Sequence, residues 1–162
     1  MTESRSLEPE EWEFWDVWMR AQHLLTRELE RGLQRDCDIS KAEFSVLVTL
    51  SQAAGREMRV GELSASLDWD KSRVSHQLTR MEKRGFVQRT QYGADGRRAG
   101  IRLTAEGRRA AQSAILVHGG NIRRHVLDAL TPEQASVIRA WSEQAVDRLE
   151  PRRSETTGDS ES

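Results

Sequence analysis

Apolar residues recur every three or four positions at both ends of this chain, and the stretch between them changes rhythm twice. From about Pro9 to Asp36, Trp15, Trp18, Leu25, Leu29 and Leu33 fall on one helical face, widened by Phe14, Val17, Ala21 and Leu24. A second helix opens at Ser40-Lys41-Ala42-Glu43, where serine and glutamate can satisfy each other's free backbone donors. It runs through Phe44, Leu47 and Leu50 and is expected to end near Gly55. A short helix follows over Arg59–Leu67, then the turn Asp68-Trp69-Asp70, then a basic helix from Lys71 to Arg84 closed by Gly85.

Alternation replaces the helical period after Gly85. Phe86-Val87-Gln88-Arg89-Thr90 and Gly100-Ile101-Arg102-Leu103 read as two strands around a Gly93-Ala94-Asp95-Gly96-Arg97-Arg98 tip. Thr104 then begins a long helix expected to carry Ala111, Ile115, Ile122, Val126 and Leu130. Thr131-Pro132-Glu133-Gln134 is another helix start, with a capping threonine, proline at the first helical position and glutamine three residues on. The last helix carries Val137, Ile138, Trp141, Ala145 and Leu149.

A short helix, a tight turn and a basic helix make a helix-turn-helix, whose second helix fits a DNA major groove. The hairpin beside it brings cations to a phosphate or a minor groove. Charge follows the same map. Residues 59–109 hold 12 Lys/Arg against 6 Asp/Glu, a net of +6, whereas the whole chain of 162 residues carries a net of −1. A basic lobe and an acidic remainder are hidden in a neutral total, and the local field is what concentrates phosphate.

Composition narrows the rest. A hydrophobic share of 36% and a charged share of 31% suit a helix-rich domain with one core. No apolar run approaches the roughly 20 residues of a membrane span, and Met1-Thr2-Glu3-Ser4-Arg5 lacks a signal peptide's apolar stretch. A single cysteine, Cys37, rules out an internal disulfide framework and fits a reducing cytoplasm, where a DNA-reading chain is expected at the nucleoid. Residues 1–8 and 151–162 read as a flexible and a disordered tail. Between them the expected units are a dimerisation helix over 9–39, a DNA-reading region over 40–103, and further dimerisation helices over 104–150. The apolar stripes at both ends exceed what a reading domain of about 50 residues can cover, so a second copy is their expected partner; a monomeric helical bundle is the alternative.

Several of these segments carry a family pattern. Asp95-Gly96-Arg97 followed by Leu103-Thr104-Ala105-Glu106-Gly107 resembles the Asp-x-Arg wing and Leu-Thr-x-x-Gly helix start of the MarR family of bacterial transcription regulators. Leu63-Ser64-x-x-Leu67 and Leu78-Thr79-Arg80-Met81-Glu82-Lys83-Arg84-Gly85 match the same family. The resemblance spans about Trp15 to Leu149. It implies a mainly α fold with a small β-hairpin wing, a winged helix-turn-helix between N- and C-terminal dimerisation helices. It also implies a homodimer that binds double-stranded DNA and, more loosely, responds to a small phenolic ligand. The chain departs from the pattern at Met58-Arg59, where a capping serine or threonine is usual.

The basic helix can be read residue by residue. Val74, Leu78 and Met81 mark its buried face, which leaves Ser72, Arg73, His76, Thr79, Arg80 and Lys83 opposite. Ser72, Arg73 and His76 lie near its N-terminal end and suit base edges, Arg73 above all because its fork can contact guanine O6 and N7 together. Thr79, Arg80 and Lys83 suit phosphates, with Asp70 as the N-cap. In the wing, Arg97 and Arg98 suit a narrow minor groove. Asp95 is expected to hold a nearby arginine and so fix the tip; a plain exposed turn is the alternative.

Trp12, Trp15 and Trp18 admit two readings: dimer core, or the wall of an effector pocket in which Trp15, Trp18, Arg20 and His23 receive an aromatic acid or phenol. Cys37 could sense oxidants if its thiol were exposed and acidic; Arg35 favours that, Asp36 and Asp38 oppose it. His118 and His125 lie two turns apart, too far to share a metal ion without other ligands. No nucleophile–base pair, phosphate loop or catalytic carboxylate pair is visible, so neither an enzyme nor a cofactor is expected. The resulting expectation is a repressor on a pseudo-palindromic operator. The alternatives are a thiol-based redox regulator on the same fold and a winged-helix adaptor that binds protein.

Overall fold

The computed structural model describes residues 6–92 and 98–150, and for Tyr92, Arg98 and Ala99 the backbone alone. The roles expected of Asp95 and Arg97, and of the Arg98 side chain, therefore lie outside the described residues. Among the described residues, six α-helices and three strands follow in order: α1 (Pro9–Cys37), α2 (Lys41–Gln52), β1 (Glu57–Arg59), α3 (Val60–Leu67), α4 (Lys71–Lys83), β2 (Val87–Tyr92), β3 (Arg98–Leu103), α5 (Ala105–His125) and α6 (Pro132–Leu149). The chain divides into two compact units, one running to Ile122 and the other from Arg123.

Local chemistry sets the element ends. Pro9 takes the first position of α1, and the Glu11 carboxylate accepts the Glu8 N–H at 2.8 Å. The helix stops at Asp38, whose left-handed backbone (φ 53°) lets its N–H reach the Gln34 carbonyl. The Ser40–Glu43 box closes on both sides, with Glu43 N–H donating to Ser40 Oγ at 3.2 Å and Ser40 N–H to Glu43 Oε2 at 2.9 Å. Thr131 and Gln134 form the same reciprocal pair at the start of α6. Where serine or threonine is missing before α3, Glu62 reaches back to accept the Arg59 N–H at 2.9 Å.

The first unit is built around one core. Leu33 of α1 and Ile39 meet Val46, Leu47 and Leu50 of α2, Leu63 of α3, and Val74, Leu78 and Met81 of α4. Phe86, Val87, Ile101 and Leu103 from the sheet and Ala111 and Ala114 from α5 complete it. Each fully buried aliphatic side chain contributes about 1.5–3 kcal/mol relative to exposure. The sheet order is β1-β3-β2, all antiparallel, with Glu57 opposite Arg102 and Val87 opposite Leu103. That register turns Ile101 and Leu103 into the core and Arg102 outward.

Two glycines are fixed by close approach. A Cβ on Gly107 would lie 1.9 Å from the Phe86 carbonyl oxygen, and one on Gly32 would lie 2.3 Å from Asn121 Nδ2. The first lets α5 start directly against the strand that opens the hairpin. The second lets α1 and α5 cross with the buried Asn121 amide between them.

Three sequence expectations need correction. The strand β1 was not visible, because three residues are too few to show alternation. Helix α2 ends at Gln52, with Gly55 (φ 63°) in a separate 3₁₀ turn over Ala54–Arg56. The long helix ends at His125: Val126 leaves helical geometry (φ −122°, ψ −67°), Leu127–Ala129 form a 3₁₀ turn, and Leu130 is extended. Thr131 precedes a proline and must be extended to cap α6, so the chain unwinds before it. Val126 and Leu130 therefore do not belong to the stripe of α5.

Candidate nucleic-acid interface

The turn between α3 and α4 is held from both sides. Asp68 adopts the left-handed conformation (φ 51°) that ends α3. Ser64 then clasps Trp69 twice: its hydroxyl donates to the Trp69 carbonyl at 2.6 Å, and its own carbonyl accepts the Trp69 N–H at 3.1 Å. Asp70 caps α4 by accepting the Arg73 N–H at 2.8 Å and the Ser72 hydroxyl at 2.7 Å. The Arg73 backbone bond first, and the Ser72 bond second, hold the Asp70 carboxyl below its ordinary value.

Four residues of α4 face the core: Val74, Gln77, Leu78 and Met81. Ser72, Arg73, His76, Thr79, Arg80 and Lys83 are all exposed, which puts the six residues expected to meet DNA on the solvent side of one helix. Gln77 was not expected inside; it is 7% exposed, and its Nε2 has no hydrogen-bond partner among the described residues. The Arg73 guanidinium lies over the Trp69 ring, 4.1 Å from its centroid. A cap at one end, a core face and a basic outer face make α4 a helix that can be presented to phosphate and to base edges.

Comparison with known proteins gives this arrangement a family. The MarR family model matches residues 39–99. The transcriptional regulator HosA of Escherichia coli is 32% identical over 101 residues, which cover 62% of this chain and 73% of HosA. AbsC, a MarR family transcriptional regulator from Streptomyces coelicolor, superposes with a TM-score of 0.79 at 31% identity, over 90% of this chain and 98% of AbsC. Sco3205, from the same organism and solved in complex with DNA, gives 0.80 at 32% identity, over 96% and 97%. The chain belongs to the MarR family. It is a transcriptional regulator built on the winged-helix fold.

Within that frame the family's Leu-Thr-x-x-Gly segment has a plain physical role. Thr104 Oγ1 accepts the Gly107 N–H at 2.9 Å and donates to the Gly85 carbonyl at 2.5 Å, while the Thr104 N–H donates to the Phe86 carbonyl at 3.1 Å. Threonine thus caps α5 and ties it to the end of α4, and glycine makes the close approach tolerable. The wing of this MarR protein is rooted by Arg89, which pairs with Glu82 of α4 at 2.9 Å, and by a Thr90–Glu57 hydrogen bond between β2 and β1.

Arg84 is the residue that sequence reasoning passed over. It sits just past α4 and donates to Glu43 Oε1 at 2.8 Å, to the Asp38 carbonyl at 2.9 Å and to Asp38 Oδ2 at 2.9 Å. Its guanidinium also covers the Phe86 ring at 4.7 Å. The end of the reading helix is thereby bound to the start of α2 and to the end of α1. Glu43 is 3% exposed. Burial pushes its carboxyl up, but hydrogen bonds from Ser40 and Arg84 outweigh that and hold it below its ordinary value. Its partnership was visible in the sequence only toward Ser40, three residues away; nothing local points to a residue 41 positions distant.

The expected effector residues lie on the N-terminal half of α1. Trp12 (52%) and Trp15 (46%) are exposed, Trp18 is half-buried, and Arg20 and His23 are exposed. Separate clefts open farther along α1. One of about 660 Å³ is lined by Cys37, Ile39, Arg84, Phe86, Arg109 and Ser113, among others. Another of about 310 Å³ is lined by Leu29, Leu33, Lys41, Phe44, Ser45 and His118, among others. His118 packs its ring 4.7 Å from Phe44, and burial lowers its pKa. Cys37 is half-buried, its Sγ 4.0 Å from Ser113 Oγ. No described helix is long and apolar enough to cross a membrane.

Proposed function

We propose that this MarR-family regulator is a repressor that binds a pseudo-palindromic DNA operator as a homodimer and is released by a small aromatic acid or phenol. The observation that carries the DNA reading is the outer face of α4, where Arg73, His76, Arg80 and Lys83 are exposed together above a firmly capped N-terminus. Arg73 and its neighbours Ser72 and His76 meet base edges, and Thr79, Arg80 and Lys83 meet phosphates. Arg97 and Arg98 of the wing enter the adjacent minor groove, with Asp95 ordering the tip. Sco3205, similar to this chain over nearly its whole length, was solved in complex with DNA, which supports the reading.

The dimer is supported by apolar surface that each unit leaves uncovered. On α1, Phe14 is 69% and Val17 65% exposed; on α6, Val137 is 69%, Trp141 50% and Leu149 80% exposed, and no residue of α6 is buried. A helix of 18 residues with no buried side chain is stable when a partner covers its apolar face. A two-fold dimer also doubles the few base pairs that one reading helix spans.

Selection of bound sequences from a random DNA pool by the full-length protein tests the reading, followed by titration of the selected site and of random DNA. A site preferred by on the order of 10³-fold or more, with inverted half-sites, supports it. Equal affinity for both would remove the operator, and no DNA binding would instead favour the protein-adaptor reading. Repression is tested by placing the selected site over a reporter promoter. A thiol-responsive version rests on Cys37 at the edge of the larger cleft; peroxide-dependent release that survives Cys37→Ser removes it.

A further inference from the structure

We infer that Trp69, in the turn of the helix-turn-helix, is a positioning residue that sets the sequence specificity of Arg73. The inference rests on the DNA reading above and goes beyond it, since Trp69 itself meets no base. Its indole is half-buried and packed against the core of the first unit, and its backbone is clasped by Ser64 through both its N–H and its carbonyl. The ring is therefore a fixed platform. Arg73 is four residues on, in the first turn of α4, and its guanidinium rests over that platform at 4.1 Å from the ring centroid.

The chemistry of this contact matches what base reading requires. A guanidinium that lies over an aromatic ring uses a face, and its N–H donors stay in the plane, directed outward. Guanine is read through that plane, by two parallel donors to O6 and N7. A carboxylate partner would occupy the same donors. Among the described residues no ion pair involves Arg73, and the nearby Asp70 carboxylate is taken up by the Arg73 backbone N–H and the Ser72 hydroxyl. Arg73 is thus held by a contact that leaves its reading edge free. An arginine fixed in advance also loses less rotamer freedom on binding, and that saving appears only where its geometry is used, on the correct base.

Two arginines next to this face, Arg84 and Arg89, are held differently. Arg84 also covers a ring, that of Phe86, but its donors are spent on Glu43 and Asp38. Arg89 is committed to Glu82. Both are structural pairs, and neither has the free planar edge that Arg73 keeps. Trp69 thus turns a generic cation into an oriented one.

The experiment uses full-length protein and the operator recovered by selection, with single-base variants of it. Trp69→Leu keeps an apolar side chain and removes the ring; Trp69→Phe keeps an aromatic face. Trp69→Leu should lose about tenfold in operator affinity, concentrated at the base pair that Arg73→Ala also relaxes, with affinity for random DNA and the salt slope unchanged. Trp69→Phe should lose threefold or less. In the Arg73→Ala background neither change should cost anything further. An equal loss on operator and random DNA, or the same loss with and without Arg73, overturns the inference. Should Trp69→Leu fail to fold, Trp69→Phe decides in the same cycle: a small cost beside Arg73 and none without it supports the inference, and equal costs overturn it. A wild-type protein that selects no sequence at all removes the premise, which distinguishes that failure from failure of Trp69.

Discussion

Arg84 and Glu43 join through a hydrogen-bonded ion pair of 2.8 Å that ties the end of the reading helix to the start of α2. Glu43 is deeply buried and Arg84 about one-third exposed, so removing the arginine strands a carboxylate with little access to water. The expected cost of Arg84→Ala is about 2–4 kcal/mol of stability, toward the lower end because solvent reaches the guanidinium. Arg84→Lys should recover part of it, since one ammonium cannot serve Glu43 and both Asp38 acceptors in the same geometry. Urea denaturation of the three proteins measures this; an Arg84→Ala variant as stable as the wild type would show the pair to be idle.

The same pair sets a pH dependence. Glu43 binds its proton less tightly folded than unfolded, because the Ser40 and Arg84 hydrogen bonds outweigh the burial that opposes them. Its contribution is therefore complete above the ordinary carboxylate value and is lost as pH falls through the lowered folded value. Stability of the wild type should drop on acidification below about pH 4.5, and Glu43→Gln should flatten that part of the curve. Melting curves collected from neutral to acid pH decide it, and identical slopes for both proteins would refute the assignment.

Gly107 and Gly32 separate backbone crowding from side-chain crowding. At Gly107 a methyl group meets the Phe86 carbonyl, which cannot move without shifting the strand; Gly107→Ala should cost about 2–4 kcal/mol. At Gly32 the obstacle is the Asn121 amide, the end of a side chain, so Gly32→Ala should cost about 1–2 kcal/mol, and less when combined with Asn121→Ala. Additive costs in the Gly32/Asn121 pair would mean that the two do not touch in solution.

Much of this was legible from local signals, and the exceptions share one cause. The Ser40–Glu43 and Thr131–Gln134 boxes, the Asp70 cap and the buried face of α4 rest on residues within one or two turns, so spacing alone reveals them. Arg84 looked like one more cation of a basic helix, because its partners lie in α1 and α2. Gln77 looked polar and exposed because its burial depends on what packs against α4. Trp69 stood in the turn as an isolated aromatic between two aspartates, and only the folded chain shows Arg73 above it. The strand β1 exists because β3 offers it an edge. Long-range partners, unlike caps and periods, leave no mark within a window of sequence.

On DNA, Arg73 and Arg97 should fail in different ways. Arg73→Ala should cost on the order of 1–3 kcal/mol on the operator and relax preference at one base position in each half-site. Arg97→Ala should weaken binding and reduce the salt slope, because a cation withdrawn from the minor groove returns the flanking phosphates to their counterions, about 0.9 of slope for each. Affinity titrations at several salt concentrations, on operator and random DNA, separate the two. Arg73→Ala losing equally on both DNAs would make Arg73 a phosphate contact, and an Arg97→Ala slope identical to wild type would leave the wing without a role.

The effector prediction depends on the tryptophans of α1. An aromatic acid or phenol should bind beside Trp15 and Trp18, with Arg20 or His23 as its cation, and quench their emission. It must also bind the free dimer more tightly than the DNA-bound one, because a ligand with equal affinity for both releases nothing. Tenfold weaker operator binding needs about 1.4 kcal/mol of such coupling. The measurement is tryptophan fluorescence across a panel of aromatic acids, repeated with Trp15→Phe and Trp18→Phe, then operator titration with each ligand that binds. Quenching that leaves operator affinity unchanged would refute the coupling. A panel without any binder would instead assign Trp12, Trp15 and Trp18 to the apolar surface between two copies, and in that case Trp15→Ala should weaken the dimer in sedimentation while leaving its response to every acid in the panel as flat as before.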